Sequence, residues 1–362
     1  MKKIICQFSM LALMAAAVSP VSAAITITVG KGSGVVWEGQ PFHRTMSGSM
    51  GHSSLNPFYG LLSVSSNQIV CMQTLKLKNI AGHLALPLGD SGAGLVPRAT
   101  GTATYTRYNG VSETLTGTIG LPETKGITTA GANTTSPAGY EWCLPPNQAY
   151  VDYFYSAFAN RTATLSGTWV IVADGNQKSA QVTVPAMYFG SYSAAVAGDL
   201  YVRILESDIT LRISTLECTV STPTAINFNG VMRNTQPGAQ LSQLSYPLVA
   251  TCGQASDRIN ANINVQFRAI TGLESGNVAR LSLSQGGGYI TGEIDNDVTG
   301  SGECTAATGI RFDNTQIKLG AITSAEASKT LTNQVTWRLC SGGSSLPTGP
   351  VDAAAEMLVT FN

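Results

Sequence analysis

Short segments in which apolar and polar side chains alternate occur along most of this chain. Examples are AITITVG at 24–30, TATLSGTWVIVADG at 162–175 and DITLRISTLECTV at 208–220. Alternation at every second position is the period of a β-strand with one buried face. Gly, Asn, Asp, Ser and Pro bound these segments, as they do in turns, and no stretch keeps a helical period over three turns. The pattern predicts an all-β protein.

The same alternation continues into the final stretch, PVDAAAEMLVTFN at 350–362. Its apolar side chains fall on every second position, namely Val351, Ala353, Ala355, Met357, Val359 and Phe361. Chain termini are usually polar and frayed, so a strand pattern that reaches the penultimate residue is unusual. It predicts a final strand with no second half of a hairpin after it.

Residues 1–23 have the composition of a secretory signal. Two lysines precede an apolar run from Ile4 to Val18, and small residues surround the expected cleavage point after Ala23. The apolar run is too short to span a bilayer. We therefore expect an exported chain without membrane insertion.

The remaining length exceeds that of one β-sandwich and suits two domains. The polar residues Glu206, Ser207 and Asp208 separate two alternating segments, and the loops that follow are rich in Gly and Asn. A boundary at this point predicts one β-sandwich domain at 24–207 and a second at 208–362.

Cysteine usage fits an oxidising compartment. One of the seven cysteines, Cys6, lies in the signal, which leaves an even number and indicates three disulfides. The pairing is formally open. If each bond closes within its own half of the chain, the simplest set is Cys71–Cys143, Cys218–Cys252 and Cys304–Cys340.

Composition excludes several classes of partner and function. Charged residues make up 12% of the chain and balance to a formal net charge of zero, so the basic surplus that phosphate binding needs is missing and nucleic acid is not expected. A hydrophobic content of 43% argues against disorder.

Neither catalysis nor metal binding has a clear sequence signal. The chain has three histidines, His43, His52 and His83. Their spacing matches no zinc motif, and the sequence GHSS around His52 is not a nucleophile elbow. We expect polar loop residues, no cofactor and no enzyme activity, and keep the three histidines as the weaker metal candidates.

Aromatic and amide side chains are the best candidates for ligand contact. The segment YEWCLPPNQAYVDYFY at 140–155 concentrates both types, and NPFYG at 56–60 adds a second group. An aromatic ring can stack on the apolar face of a sugar while carboxylates and amides take its hydroxyls. The candidates are Tyr59, Trp142, Asn147, Gln148, Tyr150 and Asp152. Alternation of tyrosines at 153 and 155 fits the buried face of a strand equally well.

The second half of the chain carries a recognisable combination of features. ISTLECTVSTPTAINFNGV at 213–231 leads into YPLVATCGQ at 246–254, which separates Cys218 and Cys252 by 34 positions. Gly349 is the fourteenth residue from the end, and the aromatic Phe361 is penultimate. This combination resembles the pilin domain of Gram-negative chaperone–usher fimbriae, with Phe in place of the usual Tyr. The resemblance covers roughly residues 209–362.

The resemblance implies an incomplete immunoglobulin-like sandwich that lacks its last strand. A periplasmic chaperone, and later an adjacent pilin after passage through the outer-membrane usher, would supply the missing strand. Met357, Val359 and Phe361 would face this partner, and the chaperone would capture the carboxylate of Asn362.

The position of the usual N-terminal donor segment is occupied here by a whole β domain. This layout is similar to that of two-domain fimbrial tip adhesins, whose N-terminal domain binds host glycans. The resemblance therefore implies an adhesin exported through the periplasm to the fimbrial tip, with a host glycan or glycoprotein as receptor. Two alternatives stay open: an adaptor subunit that binds a protein partner, and a secreted enzyme or zinc-dependent binding domain.

Overall fold

A computed structural model describes residues 25–193, 200–207 and 209–362. The regular structure in these ranges is β-strand, apart from two short 3₁₀-helices at Thr74–Lys76 and Glu274–Gly276. The predicted all-β class is therefore confirmed. No helix in the described ranges is long and apolar enough to cross a membrane. The predicted signal at 1–23 lies outside the described residues.

The first half of the chain forms two main sheets around one hydrophobic core. Its strands are β1 (Thr26–Val29), β2 (Ser33–Ser49), β3 (Leu62–Ser65), β4 (Met72–Gln73), β5 (Lys78–Ile80), β6 (His83–Pro87), β7 (Ala93–Thr106), β8 (Ser112–Gly120), β9 (Lys125–Thr128), β10 (Asn133–Thr135), β11 (Tyr140–Glu141), β12 (Cys143–Leu144), β13 (Asn160–Asp174), β14 (Ala180–Thr183), β15 (Met187–Ser191), β16 (Leu200–Leu205) and β17 (Thr210–Ile213). The main path of the larger sheet is β10-β9-β8-β7-β13-β2, and a four-stranded sheet has the order β12-β3-β15-β16.

Strand β7 illustrates how the alternating pattern produces these layers. Ala103 and Tyr105 are buried in the core, whereas Thr102 and Thr104 on the opposite face are exposed. The two sheets approach closely where the larger one has glycine. A Cβ added at Gly117 would lie 2.5 Å from Cδ1 of Leu144 in β12.

The second half of the chain forms a smaller sandwich with its own core. Its strands are β18 (Leu216–Ser221), β19 (Gln240–Gln254), β20 (Ala261–Ala269), β21 (Leu281–Ser282), β22 (Gly288–Ile294), β23 (Ile317–Ile322), β24 (Ser328–Ser341) and β25 (Ala355–Phe361). One sheet has the order β18-β19-β24-β22-β21, and the strands β25-β20-β23 form the other layer. Apolar residues from both layers share one cluster that runs from Leu216 to Phe361.

One sheet continues through both halves, in the order β14-β17-β1-β25-β20-β23. Strand β1 runs parallel to β17, with Thr26 opposite Thr210. On its other side it meets the end of β25, where Thr28 lies opposite Phe361. The first strand of the described chain thus lies between the two halves.

The change from one core to the other occurs just after β17. Ile209, Leu211 and Ile213 pack in the first core, and Leu216 begins the second. The sequence pattern predicts the boundary after Ser207, because the polar residues there interrupt the alternation. The pairing of β17 with β1 and β14 brings this strand into the first half instead.

The three predicted disulfides are all present: Cys71–Cys143, Cys218–Cys252 and Cys304–Cys340. Their sequence separations are 72, 34 and 36 residues. In the chain-entropy model a closed loop of this size stabilises the folded state by about 4 kcal/mol. Each bond closes within one half of the chain, so each half is cross-linked separately.

A network of charged and amide groups crosses between the two cores. The buried carboxylate of Glu38 pairs with Arg98 and accepts a hydrogen bond from Asn314 Nδ2 at 3.0 Å. Arg98 Nη1 also reaches Glu356 Oε2 at 3.3 Å, and Glu356 in β25 pairs with Arg268 at 2.6 Å. Because β25 takes part, this network couples the second core to the first.

Replacing Arg98 tests the contribution of this network. An Arg98→Met substitution leaves the buried Glu38 carboxylate without its cationic partner, so we expect a loss of about 3 kcal/mol in the free energy of unfolding. Chemical denaturation measures the loss. The matched control is Arg44→Met, an exposed arginine whose recorded hydrogen bond goes to the neighbouring carbonyl of His43. Equal stability of the two variants would contradict the network's role.

Candidate functional site

Strand β25 is paired along its whole length on one of its two edges. It lies opposite β20 from Phe361, which faces Ile263, to Ala355, which faces Ala269. Within the described residues the other edge is paired only at Phe361, opposite Thr28. No strand in the described ranges therefore pairs with residues 355–360 on this edge. An unpaired strand edge is a template for pairing with another chain.

Strand β18 approaches β25 at one end: a Cβ added at Gly30 would lie 2.4 Å from the Leu216 carbonyl oxygen in β18 and 2.5 Å from Cε2 of Phe361 in β25. Strand β18 pairs with β19 and stands at the end of its sheet. Val220 of β18 and Met357 and Val359 of β25 are half-buried and pack against the second core. We call the space between β18 and β25 the strand gap, defined by residues 216–221 and 355–361. Its walls are apolar inside and carry free backbone edges.

The residues that the sequence analysis assigned to this interface lie in two environments. Met357 and Val359 line the strand gap, whereas Phe361 is 6% exposed and belongs to the core. Asn362 is exposed and accepts a hydrogen bond from Asn262 Nδ2 at 2.9 Å. Its own Nδ2 donates to Gln316 Oε1 at 2.8 Å.

A second candidate surface lies at the opposite end of the first half. Strand β2 begins next to Leu216, whose carbonyl accepts a hydrogen bond from Lys31 N. It extends to Ser49, a length of roughly 50 Å at the usual rise per residue. Ser49 lies opposite Asn160, so the loops that follow β2 and precede β13 are at the end farthest from the second core.

Exposed aromatic side chains concentrate at this far end. Tyr108, Tyr150, Tyr153 and Phe158 are 60%, 62%, 68% and 79% exposed; we call them the distal aromatic surface. The backbone holds their loops together, since Tyr108 N donates to the carbonyl of Phe154 at 2.8 Å. Clustered exposed apolar groups on a soluble protein mark an interaction site.

Polar groups accompany these rings. The Tyr108 and Tyr153 rings pack with their centroids 5.2 Å apart. The hydroxyl of Tyr150 donates to Asp152 Oδ1 at 2.8 Å, and this hydrogen bond raises the pKa of Tyr150 above its usual value. The surface therefore combines apolar ring faces with an oriented, exposed carboxylate.

The predicted ligand residues are divided by the fold. Tyr150 and Asp152 lie on the distal aromatic surface or next to it. Trp142 is only 2% exposed and packs in the first core, so its ring is not accessible to a ligand. Tyr59 is half-buried.

The two predicted amides are exposed but take part in local bonds. Asn147 Oδ1 accepts a hydrogen bond from Ala149 N at 2.9 Å, which is a typical Asx turn. Gln148 Nε2 donates to the carbonyl of Thr135 at 2.8 Å. These hydrogen bonds shape the loop that carries Tyr150.

Three members of the distal aromatic surface, Tyr108, Tyr153 and Phe158, were not among the predicted residues. Tyr108 precedes Asn109 and Gly110 in the turn between β7 and β8. An Asn-Gly pair between alternating segments is a readable hairpin signal, and an aromatic ring at a hairpin tip is exposed. Phe158 has no comparable sequence signal; it lies in the loop before β13, with a positive φ of 64°.

The three histidines lie at separate points of the first half. His43 in β2 has Nδ1 2.6 Å from Ser166 Oγ, His52 is in the loop after β2, and His83 begins β6. Within the described ranges, no group of three or more His, Cys, Asp or Glu residues is placed to hold a metal ion. The structure therefore does not bring these candidates together as a metal site.

Comparison with known proteins gives structural neighbours only. No family model matches the chain, and no curated protein matches it. Among solved structures it is similar to the CupB6 tip adhesin from Pseudomonas aeruginosa, with 15% identity, a TM-score of 0.29, and coverage of 91% of this chain and 87% of that one.

Two further neighbours belong to the CFA/I system. A chain from a chaperone–tip adhesin complex of CFA/I fimbriae biogenesis has 8% identity and a TM-score of 0.26, covering 93% of this chain and 94% of that one. A mutant form of the CFA/I enterotoxigenic E. coli adhesin CfaE has 11% identity and a TM-score of 0.22, covering 95% of this chain and 98% of that one. All three are adhesins or contain one, but at these TM-scores the likeness carries no argument about this chain.

A pair of substitutions tests the division between buried and accessible aromatics. Trp142→Ala removes a ring that is packed in the core, so we expect about 4 kcal/mol of lost stability. Tyr150→Ala removes an exposed ring and should change stability by less than about 0.5 kcal/mol. Thermal and denaturant unfolding of both variants measure the difference. A Trp142→Ala protein as stable as the parent would show that the ring is not a core element.

Proposed function

We propose that this protein is a fimbrial tip adhesin of a chaperone–usher system. The second half, from about residue 208, joins the molecule to the fibre, and the first half, 24–207, attaches to a host glycan or glycoprotein. Attachment is non-covalent, with no cofactor and no turnover. The chain is exported through the periplasm to the cell surface.

The observation that carries this proposal is the open edge of β25 beside the strand gap. A half-buried apolar gap between two free strand edges is energetically incomplete, because its backbone groups and its side chains both lack a neighbour. A strand from a periplasmic chaperone fills it during export. A strand from the adjacent pilin replaces it in the fibre. The usher is the site of that exchange.

The resemblance of residues 209–362 to pilin domains supports the same conclusion. The disulfide Cys218–Cys252 joins β18 to β19, which corresponds to the family's pair between the first two strands. The Gly349 and Phe361 positions belong to the same pattern. The all-β first half takes the place of the donor segment that an ordinary pilin carries.

Receptor contact is assigned to the distal aromatic surface. It lies at the end of the first half that is farthest from the strand gap, so it would face outward when the strand gap is occupied by the fibre. Tyrosine rings offer flat apolar faces together with polar hydroxyls. Asp152 beside them accepts hydrogen bonds from sugar hydroxyls. This chemistry fits a glycan better than a purely apolar partner.

Receptor binding is tested by a glycan array with the full chain held by its chaperone. Combined Tyr108→Ser and Tyr153→Ser substitutions should reduce binding by about tenfold or more, because they remove a stacking surface worth about 1.4 kcal/mol or more. Met232→Ser, at an exposed apolar residue in the second half, is the matched control and should bind as the parent does. Strong glycan binding by the double variant would exclude this surface as the receptor site.

If the parent protein itself binds no glycan on the array, the result concerns the class of receptor and not the position of the site. It would favour the adaptor alternative, in which the first half binds a protein or caps the fibre. The parent protein is then tested on immobilised host glycoproteins from which the glycans have been removed. Binding would indicate a protein receptor, and no binding would indicate that the first half has no receptor among them.

Strand docking is tested in the strand gap itself. A Val220→Asp substitution places a carboxylate on the half-buried face of β18, where an incoming strand would have to desolvate it. We expect the subunit to lose stable association with its co-expressed periplasmic chaperone. The control is Thr219→Asp, at the exposed neighbouring position on the opposite face. Equal chaperone retention by both variants would argue that no strand enters the gap.

A further inference from the structure

One end of the strand gap is occupied by the chain's own first segment. Thr28 lies opposite Phe361 at the end of β25. Further along the same segment, Lys31 N donates a hydrogen bond to the carbonyl of Leu216, the first residue of β18, at 2.8 Å. Residues 28–31 therefore connect the two strands that border the gap. We call them the end segment.

Glycine at position 30 permits this close fit. A Cβ added at Gly30 would lie 2.4 Å from the Leu216 carbonyl oxygen and 2.5 Å from Cε2 of Phe361. Neither atom belongs to a flexible side-chain tip. The end segment thus contacts both borders of the gap at once. It leaves no space for another backbone between Leu216 and Phe361.

The end segment is fixed by the first core. Strand β1 pairs with β17 from Thr26, opposite Thr210, to Val29, opposite Ile213. Val29 is fully buried in the first core, and its carbonyl accepts a hydrogen bond from Ser214 N at 3.0 Å. An incoming strand would have to break this pairing and expose Val29 to displace the end segment.

We propose that the strand gap is a groove closed at its Phe361 end, and that a docking strand stops at the end segment while β1 stays in place. This inference rests on the proposed function, because it specifies the strand that the gap accepts. The occupant is an extended segment of another protein, paired with residues 355–360 of β25. That length of edge corresponds to about 20 Å of strand.

The side chains that line the strand gap determine which side chains the docking strand must carry. Val220, Met357 and Val359 are half-buried and pack against the second core, so the incoming strand needs apolar side chains at alternate positions. Its end at the closed side meets Gly30 and Lys31. Any residues beyond that point must leave the sheet and cannot add backbone pairing.

A reversible lock on β1 tests the proposal. Thr26 and Thr210 are opposite each other in a parallel pair, where Cα atoms are about 5 Å apart, which is a spacing that a disulfide spans. The full chain carrying Thr26→Cys and Thr210→Cys should form this bond during oxidative folding, as read by mass spectrometry. The single-cysteine variants are the controls. Failure of the pair to cross-link would contradict the placement of β1.

The probes are synthetic peptides of alternating valine and threonine with lysines at both ends. The short peptide has the same length as the free edge at residues 355–360, and the long peptide is twice that length. We expect the locked and parent proteins to bind the short peptide equally, and the long peptide to bind no tighter than the short one. The amide of Lys31 should keep its hydrogen-exchange protection in the complex.

Two groups of outcomes are distinguishable. Binding that falls by more than about tenfold on locking, or a Lys31 amide that loses protection when peptide binds, would show that β1 is displaced and would overturn this inference alone. Failure of every peptide to bind the parent would overturn the proposed strand docking as well.

Discussion

The two edges of strand β25 are in different states, and the arrangement of the molecule depends on this difference. One edge pairs with β20 over the whole strand, which builds the second core. The other edge meets β1 at Phe361 and is otherwise unpaired in the described chain. Backbone donors and acceptors need partners wherever water is excluded. An unpaired edge of this kind can therefore pair with a strand from another chain. The same strand also carries Glu356 to the network with Arg98. The proposed fibre attachment, the packing of the second core and the contact between the halves therefore share one element.

Much of this fold follows from sequence periodicity. The alternation predicted an all-β chain, and the final alternating segment is strand β25. The three disulfides followed from an even cysteine count and the simplest pairing. The exact boundary did not, because residues 209–213 alternate equally well in either half. Their place in the first core is set by β1, which lies at the far N-terminal end of the described chain, and local pattern carries no information about such a distant partner.

The candidate sites were predictable to a smaller degree. The pilin resemblance pointed to Met357 and Val359, and both line the strand gap. In the first half, the sequence pointed to the loop that carries Tyr150 but could not separate accessible rings from buried ones. Trp142 and Tyr150 look equivalent among the aromatics of the sequence, yet one is packed in the core and the other is exposed. Exposure depends on how neighbouring loops cover a side chain, which the local sequence pattern does not specify. The distal position of these loops became apparent only from strand register.

The free edge of β25 is the element that we propose accepts a strand from another protein chain. Amide hydrogen exchange of residues 355–360, compared between the chain alone and its complex with the periplasmic chaperone, tests this proposal most directly. The amides that point away from β20 should exchange rapidly in the free chain and become strongly protected in the complex, while protection on the β20 side changes little. A stable complex in which these amides exchange as fast as in the free chain would contradict strand docking at this edge.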